Sequence, residues 1–551
     1  MSIKKIVGIE TELRLDCVDP ENDKNRKNSG ELEDYVLPGS VVKNALSQSG
    51  GVVAVGSDTQ PANLQKNLAI VENLKKLYPS SQKAIQEHLE NRSARKRDRG
   101  ISEEDCLDTY QRFGLSGGYT FSGFRIYVDG THPEVSTPEC ATPFDLVCRQ
   151  KAGERIIEEG RKKTEEETGR RITLSADNSD GLGGSWGSHE NYLVSDELFE
   201  SLTEEGCHRH DFRRTLNSYQ DFWASFLVTR FVFCGSGKMG SEIDQDLENK
   251  FLISQRAEFI SCNFSHRTME HRPIINLRDI PYVGPGFGRR LHVIIGDSNM
   301  CEPAIYLKVG TAMIMLMMLE DNFISEGSFP IFEKPVKALQ TVMSDVDCSN
   351  LLDVYVGGQF RHMTAIDIQK FFCELAAKWL EERFKNTSDK KSVSWVSEVL
   401  FRLDQVLTKL KNDPMDLFGT IDWVTKYGLC CSELENRNAG WTDVTSRSNP
   451  LFRRLIGICG AYHRLDELGI YNKLEEAQEV ERIVQDVNIH IACLEPPQGT
   501  RAFERGKFLR HFRDDIYLVN WNLICIKRNP YKIFLNSPYS FSPALDVEQE
   551  S

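Results

Sequence analysis

The sequence predicts an α+β fold, and three observations carry that prediction. Strand-like period-two alternation crowds the chain as far as Met300, and helical periodicity takes over between about Ala365 and Leu474. The two patterns do not alternate as βαβ units would. The opening stretch "IVGIETEL" puts Val7, Ile9 and Leu13 on one face and Glu10 and Glu12 on the other. From about Cys17 to Phe121 the chain turns polar and Gly/Ser-punctuated, which reads as a long insertion (about 17–121) between two strands that belong together. "FDLVCRQKAGERIIEEGRKK" follows as an amphipathic helix with Leu146, Ala152, Ile156 and Ile157 on its apolar side. "GGSWGSHENYLV" and "RRLHVIIGDSNM" read as further strands, and "TAIDIQKFFCELAAKWLEERF" and "VSEVLFRLDQVLTKL" as helices. Pro496 and Pro497 then break the helical pattern ahead of a mixed tail. A small C-terminal domain of residues 481–551 is therefore expected behind a main domain of residues 1–480.

The bulk composition of the 551 residues, 40% hydrophobic and 27% charged, is that of a globular chain with room for a large core. No uninterrupted apolar run reaches the about 18 residues that span a bilayer. The longest, "AMIMLMMLE", is far too short and reads as a buried helix. The N-terminus enters a strand pattern without a signal-peptide core, so a cytoplasmic location is expected and no membrane partner. The 15 cysteines are scattered with no CxxC pair, which argues against a disulfide framework or a zinc ribbon. "CHRH" (Cys207, His208, His210) and the basic run "RSARKRDR" (Arg92 to Arg99) both read as solvated, charged segments. A net charge of −14 argues against a nucleic-acid partner.

The chemistry is concentrated in "RIYVDGTHPEVSTPEC", Arg125 to Cys140. Alternation puts Arg125, Tyr127 and Asp129 on one face of a strand and Ile126 and Val128 on the other, with Glu134 and Glu139 just beyond. Carboxylates gathered on one sheet face repel unless a cation lies among them. Magnesium, which takes oxygen ligands and shares them with phosphates, suits such a face, and arginine suits phosphate oxygens. One such strand fits a plain solvated sheet face equally well. Recurrence favours a site: "HEN" (His189 to Asn191), "DNSD" (Asp177 to Asp180), "SQRAE" (Ser254 to Glu258) and "GDSN" (Gly296 to Asn299) place similar clusters near strands. "CGSGKM" around Lys238 lacks the earlier glycine and the hydroxyl residue of a phosphate loop, and "GPGFG" joins no strand to a helix.

Taken in order, "VGIETEL", "RIYVDGTHPEVSTPEC", "KAGERI", "GSWGSHENYL", "SQRAEFI", "RPIINLRD", "RRLHVIIGDSNM", "IDWV" and "PPQGTRAFERG" resemble the family of the Pup ligase PafA and the depupylase/deamidase Dop. The resemblance implies a glutamine-synthetase-like fold, a curved antiparallel sheet cradle packed with helices, plus a small C-terminal domain. It implies ATP and Mg2+ as cofactors and a small ubiquitin-like modifier ending in Glu or Gln, with lysine-bearing target proteins, as partners. The modifier's terminal glutamate would be phosphorylated and joined to a lysine by an isopeptide bond. By motif position, Glu10, Tyr127 and Glu134 resemble the magnesium ligands and Arg125, Thr137 and Trp521 the nucleotide contacts. Asp129 resembles the catalytic aspartate. The long insertion and the spacing from Asp129 to His132 are similar to Dop, whereas "GDSNM" and "IDWV" are more similar to PafA. Ala176 and the stretch "RDIPYVGPGFGRR" depart from both, replacing charged groups near the modifier groove with Ile280, Tyr282, Phe287 and Gly288. Ligation, the reverse cleavage or deamidation, and a nucleotide-binding scaffold without catalysis are the three functions these residues admit.

Overall fold

The computed structural model describes residues 5–18, 30–49, 117–203, 217–268, 271–280, 282–325, 327–385, 394–526 and 532–539. Most of the segment read as an insertion, the basic run at Arg92 to Arg99 and the "CHRH" cluster lie outside the described residues. By its contacts the chain divides into two compact units. The first comprises Met1–Asp16, Ser136–Arg155 and Thr173–Cys493; the second comprises Cys17–Val135, Ile156–Ile172 and Leu494–Ser551. Mostly antiparallel strand pairing, with Ile260–Ser265 and Arg272–Asn276 parallel, together with helices both among the strands and beyond them, makes the fold α+β, as the sequence predicts.

In the first unit the strand Ser188–Val194 lies between Val7–Glu12 and Arg289–Val293, antiparallel to both. The register sets Glu10 opposite His189 and Ile9 opposite Glu190, while Val293 faces Glu190 from the other side. Val7, Ile9, Tyr192, Leu291 and Val293 are buried on one face, as alternation requires. Glu190 shares that closed face. Its carboxylate takes a two-pronged ion pair from Arg230, Nη1 to Oε2 at 2.9 Å and Nη2 to Oε1 at 2.5 Å, and the Tyr192 hydroxyl donates to Oε2 at 2.6 Å. Burial works against this charge, but the Arg230 guanidinium outweighs it and holds the Glu190 carboxyl below the usual range.

Beside the sheet runs the helix Glu302–Glu320, buried over nearly its whole length. Its 19 residues, with a window of mean hydropathy 1.4, are long and apolar enough to cross a membrane, yet that window is 100% buried inside the protein. The helix is longer than the run "AMIMLMMLE" because its charged residues are neutralised internally. Glu302 accepts from the backbone N–H of Ile483 (2.6 Å) and Val484 (2.9 Å) and from Arg482 Nε (2.7 Å). Lys308 donates to the Asp297 carbonyl at 2.7 Å. Gly310 lets the helix Ser394–Asn412 approach, since a Cβ there would stand 2.6 Å from Val399.

Two further buried carboxylates tie loops together. Asp297 accepts from the N–H of Ser236, Gln255 and Arg256 and from Ser254 Oγ. Asp422 accepts from the N–H of Met300 and Cys301, from Asn299 Nδ2 and from the Tyr462 hydroxyl. Each satisfies several turn N–H groups that would otherwise be buried without partners.

The second unit contains the antiparallel strands Gly117–Tyr119 and Arg125–Asp129, followed by all but the last residue of the strand His132–Ser136. The helix Gly30–Gln48 packs where Gly160 leaves room: a Cβ at 160 would stand 2.5 Å from the Val41 carbonyl. Asn44 Nδ2 donates to Thr164 Oγ1 (3.1 Å) and Glu167 Oε2 (2.9 Å). The C-terminal part contributes the helix Arg501–His511 and a three-stranded sheet of Ile516–Val519, Leu523–Ile526 and Lys532–Phe534.

Replacing Arg230 by methionine leaves Glu190 charged and unpaired at a position without solvent contact. The expected cost is about 3–5 kcal/mol of unfolding free energy, seen as a lower urea midpoint, and the double variant Arg230→Met/Glu190→Gln should recover most of it. Equal midpoints for wild type and Arg230→Met would show that the pair does not hold the sheet.

Candidate active site

The open face of the first unit's sheet carries Glu10, His189, Asn191, Arg290 and His292, because these alternate with the buried residues just described. Glu10 has three basic neighbours. Arg290 Nη1 lies 3.3 Å from Oε1, and His292 Nε2 and His189 Nδ1 lie 3.6 and 3.7 Å from Oε2. Arg290 is itself steadied by Asn191 Oδ1 at 2.7 Å and by the Tyr282 ring, whose centroid is 5.1 Å away. Burial opposes ionisation of Glu10, but the two imidazoles and Arg290 prevail and hold its carboxyl well below the usual range. The His292 imidazole moves down to about 3, driven first by burial and then by Arg290, against the pull of Glu10.

This cluster can hold a cation. One ligand atom from each of Glu10, His189 and His292 lies within 4.8 Å of the others. Among the described residues His292 Nε2 is buried with no hydrogen-bond partner, and its contact to Glu10 is longer than a hydrogen bond. A carboxylate with two neutral imidazoles is a ligand set that Mn2+ accepts more readily than Mg2+. Thr137, on the other side of the same strand, is bound to the backbone: its hydroxyl oxygen accepts from Ile9 N–H at 2.9 Å, and its own N–H donates to the Ile9 carbonyl at 2.9 Å.

In the second unit a tight hairpin aims the remaining residues. Gly130 and Thr131 form a two-residue loop between Asp129 and His132, with Gly130 at φ 61°. Glycine at the first position of such a loop fits a type II′ turn, whose twist matches the flanking strands. That register sets Tyr127 opposite Glu134, and the Tyr127 hydroxyl donates to Glu134 Oε1. Ile126 and Val128 are buried, Arg125 and Tyr127 half-buried, and Asp129 exposed at the strand's end, the alternation read from the sequence. The Arg125 guanidinium stacks 4.3 Å from the centre of the Tyr127 ring. Gly117 pairs with Tyr127 from the neighbouring strand, where a Cβ would stand 2.4 Å from Tyr127 Cβ. Tyr127 is thus fixed from three sides.

Trp521 sits edge-on to Tyr119, with ring centroids 5.4 Å apart. Arg505 secures both: it donates through Nη1 to the Trp521 carbonyl at 2.9 Å and lies 5.1 Å from that ring and 5.3 Å from Tyr119.

The predicted residues therefore fall into Glu10 and Thr137 in the first unit and Arg125, Tyr127, Asp129, Glu134 and Trp521 in the second. Arg125, Tyr127 and Glu134 are in mutual contact as a chain, and Trp521 belongs to a separate aromatic group. Sequence reasoning did not assign His189, His292 or Arg290 to Glu10. Period-two alternation within "SHENY" and "RRLHV" would have put all three on polar faces; only the register between distant strands joins them. Of the recurrent clusters, Asp297 and Glu258 serve internal locking, Glu258 through Lys238 and Ser241.

The family match and the relatives below make the chain an enzyme of the carboxylate–amine ligase superfamily, a class whose chemistry the carboxylates and arginines on the open strand faces suit. The chain belongs to the Pup-ligase family, whose model, described as "Pup-ligase protein", matches residues 5–525. A depupylase from Acidothermus cellulolyticus is 36% identical over 418 residues, covering 76% of this chain and 76% of that protein. A Pup deamidase/depupylase from Mycolicibacterium smegmatis is 33% identical over 404 residues, covering 73% and 74%. Among solved structures, the ligase PafA in complex with the ubiquitin-like protein Pup is similar with TM-score 0.70 at 25% identity, covering 98% of this chain and 91% of that one. PafA in complex with ADP gives TM-score 0.65 at 28% identity, covering 78% and 88%.

The depressed His292 has a measurable consequence. Between its ordinary value of 6.5 and about 3, the unfolded chain binds a proton that the folded chain refuses. Stability therefore falls as pH drops through that window. In the presence of a chelator, urea midpoints of His292→Gln should depend less steeply on pH across it than those of wild type. Parallel curves would remove His292 as the cause.

Proposed function

We propose that this protein is a nucleotide- and divalent-cation-dependent ligase. It would phosphorylate the C-terminal glutamate of a small Pup-like modifier and join it to a lysine of a target protein in the cytoplasm. The observation that carries this reading is the pairing of Tyr127 with Glu134 under the Arg125 guanidinium, which collects oxygen ligands and a phosphate-binding cation on one strand face. Likeness to PafA over nearly the whole chain supports the same chemistry. Bound ATP supplies the phosphoryl group that makes a carboxylate reactive, and Mg2+ offsets the charge of its phosphates.

The chain's own residues do the rest. Glu10, Tyr127 and Glu134 offer oxygens to the cation, with His189 and His292 beside Glu10. Arg125 and Thr137 contact the nucleotide, and Trp521 does so from the C-terminal domain of residues 481–551. Asp129, exposed at the end of its strand, takes the proton from the attacking lysine amine, which is a poor nucleophile while protonated.

A second reading is hydrolysis of that same isopeptide bond, or deamidation of the modifier. One observation favours it: relatives at 36% and 33% identity are a depupylase and a Pup deamidase/depupylase. In that reading Asp129 acts on water or on the carboxyl carbon instead of on an amine.

Supplied with a Pup-like modifier, a lysine-bearing protein, ATP and Mg2+, the enzyme should form a conjugate whose appearance on a denaturing gel distinguishes ligation from cleavage of a preformed conjugate. Asp129→Asn should lower the rate of either reaction by about 10²–10⁴-fold with nucleotide affinity nearly unchanged. Glu134→Ala should weaken nucleotide binding in calorimetry only when Mg2+ is present. Wild-type turnover in Asp129→Asn would remove Asp129 as the base, and Mg2+-independent binding would remove the metal assignment.

A further inference from the structure

The first unit holds a cavity of about 380 Å³ that none of the residues assigned above lines. Its walls come from the start of the strand Arg14–Val18 (Arg14), the Arg171–Ser175 strand (Ser175) and the loop after it (Asp177), and the helices Asp422–Glu435 and Pro450–Tyr462 (Lys426, Cys459). Four cationic and four acidic side chains line it, so it carries both signs without a net charge.

Two of the lining groups are buried acceptors without a partner. Among the described residues Ser175 Oγ and Asp177 Oδ1 make no hydrogen bond, and the two residues are 0% and 4% exposed. The other Asp177 oxygen is taken by Arg14 Nη1 at 2.8 Å. Lys426, wholly buried, makes one hydrogen bond among the described residues, to His463 Nε2 at 2.9 Å, although an ammonium carries three donors. Buried polar groups left unmatched cost on the order of 1–3 kcal/mol each, so the unmatched set marks a place for a complementary molecule. An anion would meet the Asp177 carboxylate, a cation would meet Lys426 and Arg14, and an apolar ligand would satisfy none of them. Only a molecule with a positive and a negative end answers both walls.

We propose that this cavity is a binding site for a small zwitterion of the free α-amino-acid class, its ammonium on Asp177 and Ser175 and its carboxylate on Lys426. The size suits such a ligand, lying near the lower end of small-molecule pockets. Burial raises the Asp177 carboxyl to about 7 and lowers the Lys426 ammonium, and a ligand bringing the opposite charge to each relieves both. The site is independent of the nucleotide reading and needs neither ATP nor modifier.

Saturation-transfer NMR on the full chain, with a mixture of free L-amino acids at millimolar concentration and no nucleotide, tests it directly. At least one amino acid should receive saturation, and its signal should fall at least tenfold in Lys426→Met and in Asp177→Asn. Should either variant fail to fold, Gly457→Leu serves instead: Gly457 lines the cavity, and a Cβ there meets nothing within 4 Å. The added side chain fills the space while every polar group stays. The same amino acid should slow iodoacetamide alkylation of Cys459, which lines the cavity, as read by peptide mass mapping. Saturation that persists in Gly457→Leu, binding of inorganic phosphate but of no amino acid, or a crystal structure in which ordered water alone fills the cavity would each overturn the proposal.

Discussion

Glu190 carries a negative charge into a place that water does not reach, and only a partner of opposite charge and matching shape makes that tolerable. Arg230 is that partner, and its two prongs fix the rotation of the Glu190 side chain as well as its charge. The consequence passes through the backbone. With Glu190 held on the closed face, period two obliges His189 and Asn191 onto the open one. Antiparallel register then brings Glu10 against His189 and seats His292 beside Asn191. The open face owes its composition to a charge it does not contain.

The same economy of means runs through the first unit. Asp297, Asp422 and Glu302 are carboxylates without solvent contact, and each gathers backbone N–H groups from loops distant in sequence. A carboxylate has room for several donors, so one side chain can close several turns at once. These groups set loop positions around the sheet without any enlargement of the apolar core.

Much of this was legible in the sequence, and the limits have a physical cause. Alternation is local, so the faces of Glu10, Arg125, Tyr127 and Asp129 follow from counting residues. The tight turn is readable from Gly130, since glycine takes the positive φ that the first position of such a two-residue loop requires. Pairing register is not local: nothing near His292 says that Glu10, some 280 positions earlier, approaches it on the same face, two strands away. The polar clusters were recognised but their purposes were mixed. "HEN" contains both an open-face imidazole and a closed-face structural carboxylate, adjacent in sequence and opposite in role. "GDSN" resembles a ligand set and serves as a knot of hydrogen bonds. The helix Glu302–Glu320 was underestimated in length because Glu302 and Lys308 look like boundaries until their buried partners are known.

That helix bears on how the protein is made. Its carboxylate at Glu302 waits for backbone groups at Ile483 and Val484, 181 and 182 residues later in the chain. At about 5–20 residues per second of synthesis, Glu302 spends roughly ten to forty seconds emerged from the ribosome without those partners. During that interval the helix has its apolar neighbours from Ser188–Val194 and Phe231–Cys234, made before it, but not the donors that match its buried charge. Completion of this one contact waits on a stretch of chain made long after the helix itself.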